Sequence, residues 1–237
     1  MNKNNTKKLP QYKGKLSASQ IAQGMNAAKS NAKRLLKSAK IIFENGDYAT
    51  ATSLAILSIE ESGKSSILRR LSLENDNIAL KNCWKDYRTH IKKTIIWDMC
   101  RYIKGEKCKI EDFKEMFSDN NISPFHLEQI KQIGFYTDCL GNAHWSIPNE
   151  IIEKEFAQDM LMIAGVHCQN DEVVTQREIE LWIECMKPVW RKSTNEMKQG
   201  LILWRRRMKD EKLIPDSDKF DKFIMSGIHI PIQKKHC

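Results

Sequence analysis

Ile21, Met25, Ala28, Ala32, Leu35, Ala39, Ile42 and Phe43 recur at three- and four-residue steps, the spacing that lays one apolar stripe along a helix. Ser17 and Gln20 form a capping box ahead of the stripe, each side chain satisfying an amide of the other's turn, and Asn45-Gly46 stops the helix. Asp47 is placed to cap a second helix, about Tyr48 to Ser72. Its Ala49, Ala51, Leu54, Ala55, Ile56, Leu57 and Ile59 cover several faces, so it belongs at the centre of a bundle, antiparallel to the first across a tight turn.

A third helix follows Glu74-Asn75-Asp76, carries Trp84, Tyr87, Ile91, Ile95, Met99 and Tyr102 along one side, and ends at Gly105. Ile110 to Phe117 makes a short helix, and Ser123-Pro124 opens another that runs through Gln129 and Tyr136 toward Leu140, where Gly141-Asn142 breaks it. Pro148 begins a helix through Ile152, Phe156, Met160 and Ile163. Asp171 to Lys212 forms one or two more, interrupted near Pro188, and Pro215 onward is a short, weakly specified tail. Neither strand-period alternation nor an internal repeat is present. The pattern predicts an all-α, up-and-down helical bundle with additional C-terminal helices. Its expected divisions are a flexible basic N-terminus over 1–16, the bundle over 17–170, and a helical extension and tail over 171–237.

A chain of 237 residues can bury one substantial core. Its net charge of +9 is uneven, with a basic stretch from Lys3 to Lys40 and a second from Trp190 to Lys212 that contains Arg205, Arg206 and Arg207. Such asymmetry suits either a polyanionic partner or a solvated helix face. No run approaches the roughly 20 apolar residues of a bilayer span, and Met1 to Gln20 is polar and lysine-rich, so a cytoplasmic location without membrane contact is expected. The seven cysteines are odd in number and scattered, without a C-x-x-C pair, which reads as reduced thiols.

Three segments carry candidate chemistry. In Glu60-Glu61-Ser62-Gly63-Lys64-Ser65, the last three residues match the end of a phosphate loop, but position 58 is serine rather than glycine and the segment lies within a helix. On that helix Leu54, Leu57, Glu61, Lys64 and Leu68 share a face, with Glu60 one turn before Lys64. Charges set into an apolar stripe lose hydration and hint at a site; the same pair half-exposed at a rim would contribute only about 0.3 to 0.5 kcal/mol. The second segment spans Lys85 to Lys93. Asp86, His90 and Lys93 align there on one face, and Asp86 would orient the imidazole and favour its charged form, although a lone helical histidine is more often structural. The third ends in Tyr136 and Asp138, a phenol and a carboxylate two residues apart, for which ordinary hydrogen bonding of a buried tyrosine is a commoner role than acid catalysis. No pair of Glu-x-x-His motifs is found, and neither a metal nor a cofactor is expected.

Taken in order, these segments resemble the AbiV-like abortive-infection family of the HEPN superfamily. The resemblance rests on Gly46-Asp47-Tyr48-Ala49-Thr50-Ala51, on Leu54 to Lys64 with its Glu60-Glu61-x-Gly63-Lys64, on His90 with Lys93, and on Gly134-Phe135-Tyr136-Thr137-Asp138 followed by Pro148. It covers about Ile21 to Gln169. It implies a HEPN-type bundle, commonly a homodimer, that halts growth or protein synthesis of the infected cell when a phage is sensed, with RNA, the translation machinery or a phage-encoded activator protein as partners.

In HEPN ribonucleases an Arg and a His, separated by four to six residues and paired across a dimer, cut RNA without a metal. A base takes the ribose 2′-OH proton while a cation steadies the charge growing on the phosphate. This chain departs from that spacing: Lys85 has four residues before His90, and Arg88 has one. The corresponding assignment makes His90 the acid or base, Arg88 and Lys93 phosphate contacts, and Glu61 with Lys64 their support. Lys85, Asp86, Lys92, Glu60, Tyr136 and Asp138 complete an RNA-binding or supporting shell. The alternative is a non-enzymatic interaction protein, in which the Glu60, Glu61 and Lys64 cluster sets the bundle register and Trp182, Trp190 and Trp204 dock a partner.

Overall fold

The computed structural model describes residues 9–89, 123–169, 172–217 and 219–226. The expected short helix Ile110 to Phe117 and the later part of the third helix lie outside them. Helix α1 spans Ala18–Glu44 and α2 spans Tyr48–Leu73. The capping box forms as the sequence requires: Gln20 N donates to Ser17 Oγ (3.2 Å) and Ser17 N donates to Gln20 Oε1 (2.9 Å). Gly46 makes the turn at φ +85°, where a side chain would be strained, and Asp47 Oδ1 accepts from Thr50 N to start α2.

Helix α3 spans Asn77–Arg88, α4 Ser123–Phe135, α5 Pro148–Ile151, α6 Lys154–Cys168, α7 Gln176–Met186, α8 Thr194–Asp210 and α9 Lys219–Ser226. Helix α2 is the central one, contacting α1, α3, α4, α5, α6 and α7. Its small residues permit this: Ala49, Ala51 and Ala55 are buried, and Ser58 Oγ donates to Ala32 O of α1 at 2.8 Å. Two apolar clusters flank it. Leu36, Ile56, Ile59, Leu127, Met160 and Leu161 join α1, α2, α4 and α6. Ile21, Met25, Leu68, Leu71, Trp84 and Ile179 join the opposite ends of α1 and α2 to α3 and α7.

The expected helix through Tyr136 toward Leu140 stops at Phe135, and the chain forms a small hairpin of β1 (Asp138–Leu140) and β2 (His144–Ser146), with Cys139 opposite Trp145. The cause is local: Tyr136 and Thr137 favour extended backbone, and Gly141 and Ala143 take positive φ in the connection. The single helix expected from Pro148 is two, because Ile152 adopts extended backbone and turns into the core. Pro188 falls in a 3₁₀ turn, Lys187–Val189, between α7 and α8, as its missing N–H demands. Beyond Pro215, α9 stands where a tail was expected, anchored by buried Ile224.

The C-terminal helices are fastened onto α2 and α1. Arg69 lies against the rings of Trp182 (5.3 Å) and Trp204 (5.1 Å), which meet edge to face at 5.4 Å, and pairs with Glu178, while Trp182 Nε1 donates to Arg69 O. Buried Glu74 accepts from both Trp190 Nε1 (3.2 Å) and Arg191 (2.8 Å). Asn26 exchanges two hydrogen bonds with the backbone of Val174.

Burial pulls the His167 imidazole on α6 below its usual value. The unfolded chain then takes up this proton first as pH falls through about 6.5, so the stability present above that pH declines below it. His167→Gln should flatten that decline, read as a smaller difference in urea midpoint between pH 7.5 and about pH 5.5 than the wild type shows. Identical slopes would assign the acid sensitivity to other groups.

Candidate functional site at the polar turn of α2

Residues 60–66 are helical throughout, within the middle of α2, and α2 itself rather than a strand leads into them, which excludes a phosphate loop at this segment. The carboxylate drawn into the interior is that of Glu60, whose side chain is 2% exposed. Its partner is not Lys64 but Lys131 of α4, itself 4% exposed, whose Nζ donates to Glu60 Oε1 at 2.8 Å and to Glu128 Oε2 at 2.6 Å. About two turns before Glu60, α2 is held to α4 by a second buried contact, Ser53 Oγ donating to Lys131 O at 3.1 Å.

Gly134 lets α4 come this close. A Cβ there would collide with Ser53 Oγ and stand 2.9 Å from Ala49 O, a backbone atom that cannot swing aside. Lys131 and Gly134 are the two positions of the Lys131 to Asp138 segment that carry this packing; the sequence signal for them was the Leu127, Lys131, Gly134 spacing along one face of α4, which sets an ammonium among core positions.

Glu61 and Lys64 pair with each other at the edge of the bundle, each side chain 17% exposed. The Lys64 ammonium also sits over the Tyr87 ring, 5.1 Å from its centroid. Nearly two turns further along α2, Arg70 pairs with Asp86; burial lowers the guanidinium, but the hydrogen bond and charge of Asp86 together with Cys83 beside it hold it above its ordinary value. Asp86 is thus engaged by Arg70. Burial pushes the neighbouring Cys83 thiol up while Arg70 pulls it down, so Cys83 is a packing residue rather than a nucleophile.

Arg88 closes α3 against the N-terminal segment. It donates to the backbone carbonyls of Tyr12 and Trp84, and its guanidinium stacks 4.9 Å from the Trp84 ring. Lys85 is exposed, and its carbonyl accepts from Thr89 at the helix end. His90, Lys92 and Lys93 lie outside the described residues. Tyr136 is exposed and Asp138 accepts from Cys139 N at the start of β1. Both follow Gly134, which abuts Ala49 at the first turn of α2; with a rise of 1.5 Å per residue this is roughly 20 Å along the helix from Lys64. The described structure therefore joins Glu61 and Lys64 to Tyr87, and Arg70 to Asp86, on the part of α2 that meets α3, holds Glu60 with Lys131 on the deeper face toward α4, and leaves Tyr136 and Asp138 near the opposite end of α2.

The architecture defines a class first: an all-α bundle whose central helix carries a buried acid–lysine bridge and, beside it, an acid–lysine turn facing the third helix. The family model HEPN_AbiV, described as AbiV, matches residues 20–169, from the first turn of α1 to the end of α6, and the chain belongs to this AbiV family of HEPN proteins. Neither a curated protein nor a solved structure gives a significant match. Among the described residues no helix is long and apolar enough to cross a membrane.

Proposed function

We propose that the chain is an abortive-infection protein that arrests an infected cell by acting on RNA, as a metal-independent ribonuclease or as an RNA binder that blocks translation, and that it works as a homodimer in the cytoplasm. The observation that carries the reading is the Lys64 ammonium over Tyr87, because Tyr87 precedes His90 by three residues and so ties the polar turn of α2 to the chain that leads to the imidazole. Membership of the AbiV family supplies the defence context.

In this reading His90 moves the 2′-OH proton, and Lys64, Lys92 and Lys93 supply the positive charge that steadies the phosphate. Arg88 contributes differently from a free phosphate contact: two of its nitrogens already donate to Trp84 and Tyr12 carbonyls, so its role is to hold the end of α3 in place. In the partner-docking alternative, Trp182 and Trp204 already lie against Arg69 and Trp190 binds Glu74 within the chain, and each of the three stays partly exposed.

The test is incubation of the purified protein with RNA in EDTA. Wild type should cleave, and His90→Ala should lower the rate by about 10² to 10⁴. Equal cleavage by the two would remove His90 from the mechanism. Binding without cleavage, with affinity falling steeply as salt rises, would select the binding form.

A further inference from the structure

A groove of about 560 Å³ runs between α1 and α6, on a side of the bundle that the polar turn of α2 does not use. Leu36 forms its floor, Met162 and Val166 line it while remaining about half exposed, and Lys37 and Lys40 stand along one wall. Gly165 lies between the two apolar residues on α6, and a side chain added there would meet nothing within 4 Å. An apolar strip with a missing side chain at its middle is the surface into which a second helix packs closely. No carboxylate belongs to the described residues that line it.

From this charge complementarity we infer that the groove receives an acidic amphipathic helix of a protein partner, whose apolar stripe lies on Leu36, Met162 and Val166 and whose carboxylates meet Lys37 and Lys40. A nucleic acid is the poorer fit, since the floor offers neither an aromatic ring nor a guanidinium on which a base could stack. A second copy is also disfavoured. The chain carries a net charge of +9, so two copies repel each other at long range, and neither groove offers the other a described carboxylate of its own lining. The inference goes beyond the RNA reading and stands without it.

The probe is a fluorescein-labelled, alanine-based helical peptide with a leucine stripe flanked by glutamates, titrated into the full chain by fluorescence anisotropy. Lys37→Glu with Lys40→Glu should weaken binding at least about tenfold, and Gly165→Leu, which fills the groove, should weaken it as much. All three positions face solvent or open space and Gly165 lies within a helix, so neither variant should melt below the wild type, which keeps unfolding out of the comparison. Absence of binding to the wild type, or equal binding to wild type and both variants, overturns the inference. So does a single-stranded RNA whose binding these substitutions abolish while the acidic peptide is unaffected, which would give the face to nucleic acid instead.

Discussion

Lys131→Met should destabilise the protein by about 3 to 5 kcal/mol, because it removes the ammonium bonded to the buried Glu60 carboxylate of α2. Glu128 can turn outward, its side chain being 23% exposed, but Glu60 at 2% cannot, so the cost falls on Glu60. The double variant Glu60→Met with Lys131→Met should recover most of the loss, since an apolar pair of similar volume needs no compensating charge. Urea denaturation followed by circular dichroism measures both. A single-variant loss below about 1 kcal/mol would mean that the bridge behaves like an exposed pair and that water reaches Glu60.

Gly134→Val should cost about 3 kcal/mol, at the upper end of the usual range for overpacking. The first carbon of the new side chain already meets Ser53 Oγ and the Ala49 carbonyl, and relief requires α4 to move away from α2, which would stretch the Ser53–Lys131 hydrogen bond and the Glu60–Lys131 bridge together. The loss should therefore be less than additive with that of Lys131→Met when the two are combined, as expected for neighbours in one contact. Full additivity would show that α4 is held by independent contacts, and an unchanged urea midpoint for Gly134→Val alone would show that the helices separate without cost.

These two residues also mark where sequence reasoning stopped. The helix starts at Ser17, Asp47 and Asp76 were legible because a cap is a contact between residues three apart, and the stripe Ile21 to Ala39 was legible because α1 buries a single face. Helix α2 defeated the same method. Apolar residues surround it, so periodicity did not select a face, and Glu61 with Lys64 was placed beside Leu54 and Leu57 on a stripe that is only half buried. The deeper face runs through Ile56, Ile59, Glu60, Gly63 and Ile67. The hairpin was missed for a smaller reason: the positive-φ residues after Leu140 were read as the end of a helix rather than as the connection between two short strands.

Local chemistry in the chain was sufficient for the all-α class, the α1–α2 turn and the break at Pro188, because each depends on residues within a few turns of one another, and the order of several such segments was sufficient for the family. Only the tertiary structure decided which carboxylate of the Glu60-Glu61 pair is buried, that Lys131, 71 residues later, bonds it, and that the three C-terminal tryptophans contact Arg69 and Glu74. The physical reason is that burial belongs to a pair of surfaces. A helix with several apolar faces acquires an inside only when its neighbours have chosen one.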